Sequence, residues 1–176
     1  MLIRRETPED RAAVHAVHAD AFRRAPEDPE PVEARLVDDL RADGDLIGAL
    51  SLVAIRDGEV VGHVCGSPAR LGTDTTAAVG LGPLGVRRNH HRTGVGSALV
   101  HTILGAADAL GYGLVVLLGS PDYYHRFGFV LATKFGVVPP DPAWVPHFQV
   151  RSLTAYQPSQ TGDFRYAPAF ERLRPP

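Results

Sequence analysis

Two spacings of apolar residues alternate along this chain. Some recur every three to four positions, as on the buried face of a helix, and others run contiguously or every second position, as in a strand. After a short leading strand, Thr7-Pro8-Glu9-Asp10 reads as a helix start, with a hydroxyl N-cap, a proline in the first turn and an acid three residues after the cap. Val14, Val17 and Ala21 then keep helical spacing, and Val32, Leu36 and Leu40 repeat it after a proline-rich break around Pro26 to Pro31. Leu50 to Arg56 and Glu59 to Gly66 are β-rich runs joined by Asp57-Gly58, the dipeptide that supplies the positive φ angles of a tight hairpin. A third run, Thr76 to Val86, contains Gly80, Gly82, Pro83 and Gly85, so this strand is expected to be bulged or splayed. Val95, Leu99, Ile103, Ala106 and Leu110 mark one face of a long helix over Arg92 to Leu110, closed by Gly111. Leu114 to Leu118 is uniformly apolar, as in a strand covered on both faces, and strand-helix-strand order implies parallel pairing there. A brief helix from Ser120-Pro121 to near Gly128, a hairpin over Phe129 to Leu153 turning around Pro139 to Pro146, and a loop-like tail over 154–176 complete the expectation.

The length of 176 residues fits one domain, 1–176, with a core over about 2–153. Composition excludes several classes. Hydrophobic residues at 44% and charged residues at 22% are ordinary for a globular chain. A net charge of −2 gives no basic footprint for nucleic acid. No apolar stretch is long enough to span a bilayer and the first residues carry no signal-peptide pattern, so a cytoplasmic protein with no membrane partner is expected. Cys65 is the one cysteine and reads as a buried hydrophobe. His15 and His18 sit one turn apart, and His90, His91 and His101 lie close in sequence, but no third ligand completes either set, so no metal is expected.

The stretch that carries chemistry runs from Leu84 to Leu99, a strand end, a polar connection and a glycine-studded helix start that contains His91-Arg92-Thr93-Gly94-Val95-Gly96. A helix start leaves its first backbone N–H groups without partners at the positive end of the macrodipole, and glycines let a phosphate come close, so a pyrophosphate fits. A Walker loop needs Gly-Lys-Ser/Thr, but Lys134 precedes phenylalanine; a dinucleotide fingerprint needs a glycine where Leu99 stands. What remains resembles the acetyl-CoA motif of the GNAT superfamily of N-acetyltransferases, Q/R-x-x-G-x-G/A, with His91 in the first position. Tyr123-Tyr124-His125-Arg126-Phe127-Gly128-Phe129 likewise resembles that superfamily's aromatic-Tyr-x-x-x-Gly-Phe segment, as found in a bacterial subgroup.

The resemblance implies an α/β (α+β type) GNAT acyl-CoA N-acyltransferase fold. It has a central mixed, mostly antiparallel twisted sheet with a splayed strand pair and helices on both faces. It also implies acetyl-CoA as co-substrate: Leu84, Gly85 and Val86 would pair with the pantetheine arm, while His91, Arg92, Thr93, Gly94, Val95, Gly96 and Ser97 would hold the pyrophosphate. Tyr124 stands where the family places a general acid for the departing thiolate, with Tyr123 as the fallback. The acceptor would be a primary amine of a small molecule or protein, attacking directly in a ternary complex. No carboxylate lies between Ala77 and Val86, leaving His63, Asp74 and His125 as candidate bases. Residues 1–45 carry 7 basic and 12 acidic side chains, whereas 84–113 carry 3 basic and 1 acidic, which suits a cationic amine on one side and coenzyme phosphates on the other. The alternatives are a non-catalytic acyl-CoA-binding sensor or partner-binding module, and an enzyme for a larger acyl group. The surface helices and closing hairpin leave room for a homodimer.

Overall fold

The computed structural model describes residues 1–25 and 27–173; Pro26, in the proline-rich break, and 174–176, the last of the tail, lie outside the described residues. The hairpin forms where Asp57 and Gly58 take φ values of 52° and 83°. It joins β2 (Ser51–Arg56) to β3 (Glu59–Leu71), which is five residues longer than the apolar run to Gly66 suggested. Beyond Gly66 burial alternates residue by residue, the mark of a strand covered on one face. β3 then turns into β4 (Asp74–Val86), and β1 (Leu2–Arg5) adds to the far edge of β2. The sheet runs β1-β2-β3-β4-β5-β8-β6, with β5 (Leu114–Leu118) parallel to β4 and β8 (Phe148–Ser152) antiparallel to β5.

Helices cover both faces of this mixed, mostly antiparallel sheet. On one face α3 (Val95–Ala109) buries Val95, Leu99, Val100, Ile103 and Leu104 in a core shared with Leu52, Val64 and Leu117. On the other, α1 (Arg11–Phe22) and α2 (Val32–Ala42) pack Val14, Val17, Leu36 and Leu40 against Val53 and Cys65. The Thr7-Pro8 signal opens a 3-10 turn, Pro8–Asp10, that leads into α1; the Asp10 carboxylate accepts from the Thr7 amide at 2.8 Å and pairs with Arg4. α3 starts at Val95 rather than at Arg92, because Arg92 and Gly94 take left-handed φ values of 60° and 87°.

Two expectations for the C-terminal third need correction. The closing hairpin is split: β6 (Val130–Leu131) does pair with β8, but β7 (Val137–Val138) leaves to pair in parallel with β9 (Gly162–Arg165). The tail is not loop-like, since β9 also joins the end of β3 and a 3-10 segment follows over Pro168–Leu173. Phe164 anchors it, edge-to-face on Phe148 in a third core cluster.

A buried polar chain ties four elements together. Glu6, just after β1, pairs with Arg41 of α2 at 2.6 Å and accepts from the Ser51 hydroxyl. The His63 ring, fully buried, lies 3.0 Å from Ser51 Oγ through Nε2 and 2.8 Å from His18 Nε2 through Nδ1. The carboxylate can only accept, so the Ser51 proton is committed to it; His63 Nε2–H then donates to Ser51 and His18 Nε2–H donates to His63. His18 Nδ1 is left as a bare acceptor, buried and without a partner, over the α-carbon of Gly85.

Burial would raise Glu6, but hydrogen bonds from His63 and Ser51 and the Arg41 charge reverse this and bring it down to about 2. Asp10 is likewise held at about 2, first by its hydrogen bond from Arg4. Burial lowers both His18 and His63. The unfolded chain therefore takes up protons that the folded chain refuses. Stability is complete above the ordinary histidine value of 6.5, falls as pH drops below it, and falls again between 4.5 and about 2 as the carboxylates protonate. His15 works the other way: its hydrogen bonds to Glu30 and Asp38 raise it, and that contribution is lost as pH rises through the raised value. The exposed site makes it the smaller effect. Urea unfolding should accordingly give a lower midpoint at about pH 5.5 than at about pH 7.5, and equal midpoints would contradict the neutral buried pair. Gly85→Ala places a methyl carbon 2.7 Å from His18 Nδ1, so it should cost roughly 1–3 kcal/mol in the same measurement.

Candidate functional site

The site begins where two strands part. β4 and β5 pair only from Ala78↔Leu114 to Gly80↔Val116, yet β4 continues to Val86 and β5 to Leu118. Tyr166, just past β9, sits in the wedge: its ring lies 2.8 Å from where a Cβ on Gly80 would stand, and its hydroxyl is hydrogen-bonded to the Leu118 main chain. β3 stays with β4 beyond the parting, and Arg87 N–H donates to Val61 C=O. Antiparallel ladders alternate, so Gly85 turns its main-chain groups toward His63 while Leu84 and Val86 turn theirs toward the opening. The expected splayed edge is therefore present, with Leu84 and Val86 on it.

At the far end of that edge stands the mouth of α3. Its first internal bond runs from Ala98 N–H to Gly94 C=O, and no side chain caps it. The amides of Val95, Gly96 and Ser97 therefore face outward at the positive end of the helix. The left-handed turns at Arg92 and Gly94 gather successive amides into a concave nest, a shape that binds anions. His91 Nε2–H donates to Val86 C=O at 2.8 Å, so this ring fastens the connection to β4. Thr93 Oγ–H donates to His90 C=O, and Arg88 N–H reaches Asp20 of α1 at 2.8 Å, both bracing the same loop.

A cleft of about 690 Å³ runs along these elements. Leu84, Val86, His91, Arg92, Gly94, Val95, Gly96, Ser97 and Tyr124 all line it. Gly85 and Thr93 do not: Gly85 backs onto His18 across the sheet, and Thr93 serves the loop. Tyr123, the fallback acid, lines it too, and Phe22, His90 and Arg126 do so without a role expected from the sequence. Arg126 could have been read from its place in the tyrosine box; it lies 4.9 Å above the Tyr123 ring and donates to Tyr123 C=O. Phe22 carried no signal, because only the packing of α1 on the sheet brings it here.

The two tyrosines at the end of α4 (Pro121–Tyr124) point to different tasks. Tyr123 sends its hydroxyl to the helix mouth, where a Cβ on Gly96 would stand 2.6 Å from it, and it hydrogen-bonds Ser97. Tyr124 lies against the end of β5, where any side chain on Gly119 would collide with its ring, and packs edge-to-face on Phe129. Burial pushes the Tyr124 phenol well up, with the neighbouring Tyr123 adding to the shift, so it is a protonated donor at neutral pH. Its ring also borders a second cavity of about 740 Å³ that opens between the parted strands. Phe22, Leu84 and Tyr124 line both spaces and mark their junction.

The candidate bases fall elsewhere. His63 is sealed in the buried chain, and His125 Nδ1–H donates to Pro121 C=O on the surface. Asp74 starts β4, about 30 Å along the strand from Leu84 at some 3.3 Å per residue. Carboxylates do reach the second cavity, from Glu33 on α2 and Asp141 before a 3-10 turn. Cys65 donates its buried, upward-shifted thiol to Gly82 C=O at 3.2 Å, the state of an inert side chain. Among the described residues no helix is long and apolar enough to cross a membrane.

Comparison with known proteins agrees with this geometry. Residues 11–129 match the acetyltransferase (GNAT) family. The uncharacterized N-acetyltransferase YhbS of Escherichia coli (strain K12) is 39% identical over 154 residues, covering 87% of both chains. YjhQ of the same strain, also an uncharacterized N-acetyltransferase, is 33% identical over 141 residues, 77% of this chain and 78% of that one. The crystal structure of Escherichia coli YhbS in complex with CoA superposes with a TM-score of 0.88 at 36% identity, covering 98% of this chain and 93% of the other. That of a GNAT family acetyltransferase from Brucella melitensis with acetyl-CoA gives 0.78 at 34% identity, over 96% and 97%. With the splayed edge, the uncapped helix mouth and the matched sequence in agreement, the chain belongs to the GNAT family of N-acetyltransferases.

Proposed function

We propose that this protein binds acetyl-CoA in the cleft along β4 and α3 and passes the acetyl group directly to a primary amine held in the adjoining cavity. The observation that carries this reading is the position of Tyr124, on the wall common to the two spaces. Both spaces have walls of the right sign. Arg92 and Arg126 border the cleft, as an anionic diphosphate requires, while among the described residues the charged ones bordering the cavity are the carboxylates Glu33 and Asp141, as a cationic amine requires. The CoA and acetyl-CoA complexes of the two structural relatives support the same choice of co-substrate.

Acetyl-CoA supplies an acyl carbon activated as a thioester, with the thiol as leaving group. The amides of Val95, Gly96 and Ser97 hold the diphosphate, and Leu84 and Val86 offer main-chain groups to the extended arm. Leu84 and Phe22 exclude water at the junction, which strengthens every polar interaction there. Glu33 and Asp141 attract the ammonium, which must shed a proton before it can attack. Tyr124 donates its hydroxyl proton toward the sulfur as negative charge develops on it. Its partner Tyr123 stays at the helix mouth, beside the diphosphate rather than the thioester.

Two substitutions separate chemistry from binding. Tyr124→Phe keeps the ring and its packing, so kcat should fall about 100-fold while the Kd for acetyl-CoA stays within about twofold. An unchanged kcat would assign the proton to another group. Gly96→Val keeps a helical residue but fills the mouth beneath Tyr123, and calorimetry should show acetyl-CoA binding weakened by about tenfold or more. Undiminished affinity would place the diphosphate elsewhere.

A further inference from the structure

The cavity beside Tyr124 is more specific than a generic amine site requires. Its volume of about 740 Å³ lies in the range of small-molecule sites. Rings line it: Phe22 from α1, Trp144 from the 3-10 turn after Asp141, Tyr166 and Phe170 from the C-terminal segment, and Tyr124 itself. Leucines fill the gaps between them. Among the described residues neither Lys nor Arg borders it, so there a carboxylate on the acceptor would be buried without a countercharge.

The aromatic wall is fixed in place. Tyr166 and Phe170 stack at 4.5 Å between centroids, with their planes inclined by only 23°. Tyr166 is held by Leu118 of β5, and the following turn is pinned to α2 by Arg172, which pairs with Asp43 at 2.5 Å and Asp39 at 3.7 Å. A wall built before the ligand arrives costs less to order on binding. Rings so placed match a flat apolar body, and their faces also attract a cation.

Resting on the acetyltransferase reading, we infer that the acceptor is a small arylalkylamine: a primary ammonium directed past Glu33 to Tyr124, and an aromatic body seated against Trp144, Tyr166 and Phe170. The C-terminal segment thereby becomes the part of the chain that sets acceptor choice. Short polar amines would leave the rings without contact, and amino acids would bring an unpaired carboxylate. A lysine side chain offers only a narrow methylene stem.

The test uses the full chain with acetyl-CoA and reads CoA thiol release from 2-phenylethylamine, ethanolamine, 1,4-diaminobutane, phenylalanine and a lysine peptide blocked at its N-terminus. The value of kcat/KM for 2-phenylethylamine should exceed each of the others by about 10-fold or more. Phe170→Ala and, separately, Trp144→Ala should reduce that preference by about 10-fold while leaving the KM for acetyl-CoA unchanged; a merely structural role would move both. Trp144 is the one tryptophan in the chain, so its emission reports occupancy of the cavity without turnover. With CoA present, 2-phenylethylamine should shift that emission and ethanolamine should not. Equal rates across the panel, preference for the peptide or the diamine, or an emission unmoved by 2-phenylethylamine would each overturn the arylalkylamine inference. Thiol release from any amine in those cases leaves acetyl transfer standing, whereas failure of acetyl-CoA to bind in calorimetry would remove the reading beneath it.

Discussion

A strand edge without a partner inside a protein is costly, because each unpaired amide and carbonyl has given up water for nothing. β4 has such an edge from the point where Gly80 and Val116 last meet, and the surrounding structure is arranged around it. β3 keeps the opposite edge paired beyond the parting, so the strand does not fray. Tyr166 closes the wedge where the strands separate, and His91 takes the Val86 carbonyl at the far end. What remains between, at Leu84 and the Val86 amide, is a length of edge facing a cleft, which an extended ligand with its own amides satisfies as another strand would. The same parting opens the cavity on the other side of Tyr124, so one interrupted ladder creates both compartments.

The buried chain from Arg41 to His18 explains how that edge is kept in place. Its members come from α2, β2, β3, α1 and the residue just after β1, and its last ring presses on Gly85, in the middle of the open stretch. Such networks are costly when half satisfied and rigid when complete. Here every member but His18 Nδ1 is bonded, and that atom lies against the strand whose position matters most. Phe22, one turn beyond His18 and stacked on it at 5.9 Å, reaches the junction of the two spaces. The helix face that carries buried histidine thus also carries the ring that seals the site.

Local signals in the sequence were enough for the parts of the site built from one segment. Gly94 and Gly96 marked the helix mouth, Gly80 to Gly85 marked the weak ladder, and the Tyr-Tyr-x-Arg-Phe-Gly-Phe run marked the ring at the end of β5. What was not legible depends on contacts between distant segments. Glu33 and Asp141 are ordinary surface acids in sequence, and only the docking of α2 and of the turn near Trp144 brings them to one cavity. Residues 154–173 looked like a tail because Gly162–Arg165 is too short to show alternation, and its partners lie over 20 residues away in β7 and over 90 away in β3. His63 stands among the candidate bases because a strand pattern does not say which helix will cover it.

The chemistry of Tyr124 raises a question of matching. A phenol begins near pKa 10 and an alkyl thiol near 8.5, so complete proton transfer to the thiolate would be uphill by about 2 kcal/mol in water. Burial raises the phenol further, which at first sight makes it a worse acid. The thiolate, however, would form at the same dry junction behind Phe22 and Leu84, and desolvation disfavours its charge for the same reason. Both acidities move in the same direction, so the difference between them need not widen, and a hydrogen bond between two poorly solvated partners is stronger than the same bond in water. In the proposed transfer, the burial that makes Tyr124 a weak acid would therefore also make it useful, since it would keep the donor protonated until charge appears on the sulfur and remove the water that would compete for it.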